Sequence, residues 1–150
     1  MLKYLFCDNI ENSLKMKKFL IKGLIAGLLL LAINFAGLFI TINCFPFLAE
    51  QYFSPVFDMT GYKGVLYVLH PFIISFALAW FWRRFKELFQ GPFWLRGLEV
   101  GLVYGVVAVL PSMWIIFSAF DVSVSIVFSW FFYGILQGVV VGIIYAKISP

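Results

Sequence analysis

Apolar residues in this chain run in long blocks, separated by short polar or charged clusters. Four blocks, at about 19–42, 63–83, 97–117 and 123–146, are long enough to matter. A helix rises about 1.5 Å per residue, so roughly 20 residues cross a hydrocarbon core of about 30 Å. The pattern therefore predicts an all-α integral membrane protein with four transmembrane helices in one bundle. The second block needs its full length. Starting at Pro71 it would be too short to span, so the helix is expected to begin near Tyr62–Gly64 and to carry Pro71 inside it. A proline there frees the carbonyl of Tyr67 and bends the helix. Met16-Lys17-Lys18 ahead of the first block imitates a signal peptide. The block itself is longer than the roughly 7–15 apolar residues of such a signal, and is read as an uncleaved span. Ile42-Asn43-Cys44 lacks the small residue that a lipoprotein cleavage site needs before its cysteine.

Composition agrees. The chain of 150 residues is 63% hydrophobic and only 12% charged, with a mean hydropathy of +1.01. One small soluble core could not hide that much apolar surface. The net charge of +4 is not a nucleic-acid signal, because the basic residues sit at the ends of the apolar blocks. Lys3, Lys15, Lys17, Lys18, Lys22, Arg83, Arg84, Lys86, Arg96 and Lys147 fall on one side, and Lys63 on the other. That bias makes both termini and the loop 83–95 cytoplasmic. Residues 1–18 are then a cytoplasmic N-terminal tail and 19–150 the transmembrane domain. In a bacterium the chain would lie in the inner membrane. The outward loops, near 43–62 and 118–122, carry Glu50, Asp58 and Asp121. The first is too apolar for open solvent and is expected in the headgroup layer, with room for a short interfacial helix. Cys7 and Cys44 fall on opposite sides, which excludes a disulfide between them.

Small residues recur at four-residue spacing. They are Gly23 and Gly27 in the first span, Ser75 and Ala79 in the second, Gly97, Gly101, Gly105 and then Ala108 in the third, and Gly134, Gly138, Gly142 and Ala146 in the fourth. Such ridges let helix backbones approach closely in lipid, where no hydrophobic force joins helices. Most lie in the cytoplasmic half, whereas Pro71 and Pro111 lie in the outer half. The bundle is thus expected to close towards the cytoplasm and to open into an outward-facing vestibule. Lys22-Gly-Leu-Ile-Ala-Gly-Leu28 also matches Arg96-Gly-Leu-Glu-Val-Gly-Leu102. Two parallel helical hairpins would produce this repeat, but seven residues alone do not separate duplication from chance.

Polar residues inside the spans are the candidates for function. Asn34, Ser75, Ser112 and Gln137 are expected to meet inside the bundle, as interhelical hydrogen bonds or as the lining of a path. Glu99 stands near the start of its helix, opposite the glycine ridge and close to Arg96 and Lys22, where a carboxylate suits the helix dipole. His70 is the only histidine and lacks the partners of a haem, metal or catalytic site. No phosphate loop, metal motif or nucleophile elbow occurs. No catalytic residue, metal site or cofactor is therefore assigned. The sequence points to a small non-enzymatic accessory subunit, or a homo-oligomer, acting through glycine-ridge packing. Its partners are membrane lipids and either a second copy or a partner membrane protein, with no nucleic acid. The alternative is a small transporter or channel subunit. An enzyme acting at Glu99 or His70 is the weakest reading.

Overall fold

The computed structural model describes residues 2–52 and 60–149, with side chains from residue 16 onward. Asp58 and the side chain of Cys7 lie outside the described residues. Among the described residues all regular structure is helical. It comprises α1 (Leu2–Cys44), α2 (Pro46–Tyr52), α3 (Tyr62–Phe85), α4 (Phe93–Tyr104), α5 (Leu110–Ala119) and α6 (Val124–Ile148). A 3₁₀ turn, Lys86–Leu88, follows α3, and a π turn, Gly105–Val109, joins α4 to α5. Four stretches are long and apolar enough to cross a membrane: Met16–Cys44, Tyr62–Leu88, Phe93–Ala119 and Val124–Ile148.

Local chemistry sets the boundaries. Gly91 takes φ +98°, a conformation other residues resist, and Pro92 then leads into α4 with its fixed φ. Ser123 caps α6 by accepting from the Ile126 amide. α1 runs unbroken from Leu2 into the first span. Cys7 and Cys44 therefore lie on one helix, about 55 Å apart along its axis, and Cys44 is a free thiol. In the first loop, α2 folds back on α6. Ala49 is buried there, Ser123 donates to Gln51, and the Trp130 indole donates to the Tyr52 hydroxyl.

The helices pack as two hairpins, α1 with α3 and α4 with α6, and α6 also touches α1 and α3. The core gathers towards the end carrying the basic residues, around Ala26, Leu30, Leu78, Trp82, Val100, Val141 and Tyr145. We call this the basic end. The start of the first span and the end of the fourth meet there, because Lys22 reaches Ile148 and Ser149.

The two hairpins are built alike. Gly23 and Gly27 press on Phe76 and Phe72, while Gly97 and Gly101 press on Ile143 and Val139. The first helices thus correspond at an offset of 74 residues and the second helices at 67. Those offsets come from contacts alone, yet they also align the burial pattern. Pro71, Ile74, Ser75, Leu78 and Ala79 are buried, and so are Gly138, Val141, Gly142, Tyr145 and Ala146. One pair of contacts between hairpins is reciprocal as well. Lys22 of the first reaches the C-terminal end of α6, and Arg96 of the second covers the Trp82 ring near the end of α3, at 4.7 Å. Reciprocity of that kind marks an approximate two-fold relation. The matching heptapeptides seen in the sequence fall on equivalent contacts within it.

Candidate functional site

The glycine ridges face inward, each against its own hairpin partner. A Cβ on Gly97 would stand 2.7 Å from the Ile143 amide nitrogen, and one on Gly101 equally close to that of Val139. Gly105 lies against Ile135, Gly134 against Val109, and Gly138 against the Cα of Gly101. Ala146, one turn beyond Gly142, is buried as well. Ala108 is not. The expected ridge followed ideal helical periodicity, but the π turn adds a residue to that turn, so Val109 is buried and Ala108 is exposed. The turn has a local cause. Pro111 cannot donate an amide, and its ring crowds the carbonyl four residues before it, so the wider turn accommodates it.

The four polar residues expected to meet do so only in part. Asn34 and Gln137, 5% and 3% exposed, bond to each other near mid-span, Nε2 of Gln137 donating to Oδ1 of Asn34 at 2.8 Å. The Tyr133 hydroxyl donates to the same oxygen. These contacts pin α1 to α6. Ser75 belongs to a separate knot nearer the basic end. Its hydroxyl donates to the Gly23 carbonyl at 2.7 Å, and the Tyr145 hydroxyl lies 3.1 Å from both its Oγ and its carbonyl oxygen. Gly23 has no side chain to shield that carbonyl, which is why α3 can reach it. Ser112 joins neither group. It is exposed and donates to the Ala108 carbonyl on its own helix at 2.7 Å. Tyr133 and Tyr145 were missed from sequence. The signal available for the first was a tyrosine one turn before Gln137.

At the basic end, Lys22 donates to the Ile148 carbonyl and to Ser149 Oγ, at 3.2 and 2.8 Å. The Trp82 indole donates to the Ser149 carbonyl at 2.9 Å. These bonds serve carbonyls that α6 leaves open at its C-terminus. Arg96 donates to the Lys86 carbonyl and stacks on Trp82, so neither cation expected beside Glu99 turns to it. Glu99 is half-buried, and His70 lies on the exposed side of α3.

Open space lies between α3 and α4. This groove of about 340 Å³ is lined by Ala77, Leu78, Trp80 and Phe81 of α3 and by Val103, Tyr104, Val107 and Ala108 opposite. Further out, α5 buries none of its residues. Among the described residues no cluster of His, Cys, Asp or Glu could hold a metal ion.

Fold and interior together define an all-helical chain consistent with a small membrane protein. Its central amides and hydroxyls bond across helices. Set against known proteins, the chain matches no family model, no curated protein and no solved structure.

Proposed function

We propose that the chain is a non-enzymatic accessory subunit of a membrane assembly, a multi-pass integral membrane protein (of the inner membrane in a bacterium) with both termini in the cytoplasm. The observation that carries this reading is the bare outer half of the third span. Leu110–Ala119 buries no residue, and Trp114 and Ile115 remain 75% and 64% exposed. A helix that touches α6 on one side but buries none of its residues there suits a neighbour, either a second copy or another membrane protein. The glycine ridges cannot serve that neighbour, because each is already occupied within its hairpin. The docking face therefore moves from the ridges to α5. The mutual bonding of Asn34 and Gln137 supports a packing role over a permeation path, since each amide already engages the other.

The test is cross-linking in native membranes, in a chain carrying Cys7→Ser and Cys44→Ser. A cysteine at Ile115 should form a defined adduct whose mass gives the partner. A cysteine at Val65, equally exposed on α3, should not. Equal labelling at both positions would remove the reading.

A further inference from the structure

The two-fold relation identifies one place where the hairpins differ. In the first, α1 lies along α6, pinned by Asn34 against Gln137 and Tyr133. The offsets fixed by the glycine contacts carry Asn34 to Ala108, or to Val109 once the extra residue of the π turn is counted, and Gln137 to His70. Neither alanine nor valine offers a side-chain hydrogen bond, and His70 turns outward. Among the described residues the third span therefore has no mid-span polar pin to the second, beyond the Arg96 contact at the basic end, and the groove opens where the equivalent interface is closed. Ala108 is part of its wall.

Charge continues both walls. Arg96 lies two turns before Val103 on α4, and Arg84 two turns after Ala77 on α3, so each cation shares its helix face with a wall of the groove. Each stands about 10 Å of helix rise nearer the basic end. Among the described residues neither has a carboxylate partner. Arg84 lies over the Trp80 ring at 5.8 Å. Arg96 has only the Lys86 carbonyl and Trp82, and its Nε is buried without any hydrogen-bond partner. A buried donor on a charged group needs an acceptor.

We propose that the groove seats one anionic phospholipid of the leaflet at the basic end. Its acyl chain lies against Ala77, Phe81, Val103 and Val107, and its phosphate is held between Arg84 and Arg96. An apolar slot ending in two arginines complements an amphiphile with a negative head. Guanidinium groups suit phosphate oxygens through paired donors. The site does not depend on the partner proposed above.

The experiment is native mass spectrometry of the full chain, purified in mild detergent and supplied with phosphatidylglycerol or phosphatidylcholine of identical chains. Glycerol phosphate is added separately as a headgroup without chains. One phosphatidylglycerol should be retained at least about tenfold more strongly than phosphatidylcholine, and glycerol phosphate weakly if at all. Arg84→Ala with Arg96→Ala should remove the preference between headgroups. Ala77→Phe should weaken both lipids by filling the slot. Arg83→Ala with Lys147→Ala should change neither. If the Arg96 variant fails to fold, Arg84→Ala alone and Ala77→Phe still decide the outcome. Equal retention of both lipids, equal loss in the control pair, or a co-purified protein helix protecting position 77 would each overturn the proposal.

Discussion

Gly97 and Gly142 meet backbone to backbone: a Cβ on Gly142 would stand 2.9 Å from both the Cα and the carbonyl oxygen of Gly97. The obstacle is main chain, which cannot rotate aside. At Gly23 and Gly27 the nearest atoms belong instead to the rings of Phe76 and Phe72, which can turn. Gly97→Ala and Gly142→Ala should therefore cost about 1–3 kcal/mol each through overpacking, with Gly23→Ala and Gly27→Ala at the bottom of that range or below. Unfolding of the purified variants in detergent gives the order. A larger loss in the first hairpin than in the second would contradict it.

Asn34 Oδ1 accepts from both Gln137 and Tyr133. Asn34→Leu should thus leave two donors without their acceptor, at a cost of about 0.6–1.7 kcal/mol. Adding Gln137→Leu should recover part of it, because the orphaned amide disappears. A double-mutant cycle measures the coupling, and strict additivity would show that the pair does not interact.

The π turn decides which side chain of the third span faces α6. Val109 lies against Gly134, at 2.9 Å from a Cβ placed there, while Ala108 faces away. In the background lacking Cys7 and Cys44, a cysteine pair at 109 and 134 should oxidise readily, and a pair at 108 and 134 should not. With Pro111→Ala the cause of the wide turn is removed, so the preference should weaken or reverse. An unchanged preference would mean that the turn has another origin.

Lys22, Trp82 and Ser149 bind the hairpins at the basic end. Lys22→Ala should loosen the C-terminus of α6 and raise amide hydrogen exchange near Ile148, while leaving Ser75 and Tyr145 protected. Trp82→Phe removes one donor from the same group and should act in the same direction, by about 1 kcal/mol. Uniform deprotection along α6 would place the coupling elsewhere.

Much of the fold was legible because span length is a coarse signal. The structure places the long helices where the apolar blocks lie, and Pro71 sits inside α3. The ridges could be followed through Gly105, then lost by one residue, because a fixed helical period cannot anticipate the turn that Pro111 favours. The same turn carries Ser112 outward, away from Asn34 and Gln137. Ser75 escaped for another reason. Its partner is a main-chain carbonyl, and only the close approach at Gly23 makes that carbonyl reachable. Sequence periodicity indicates a face, whereas the choice of partner depends on how near two backbones come.

Two like hairpins with reciprocal contacts also bear on how the chain is made. The first contains both surfaces of its own glycine contact, so it can finish packing in the membrane while the ribosome is still translating the second. The short connection between α3 and α4 is then a tether, and its main effect is to raise the local concentration of one half around the other. Split there and co-expressed as two polypeptides, the halves should still co-purify, at a yield that rises with their expression. In that sense the molecule is closer to a covalently linked dimer of two-helix units than to an indivisible bundle of four.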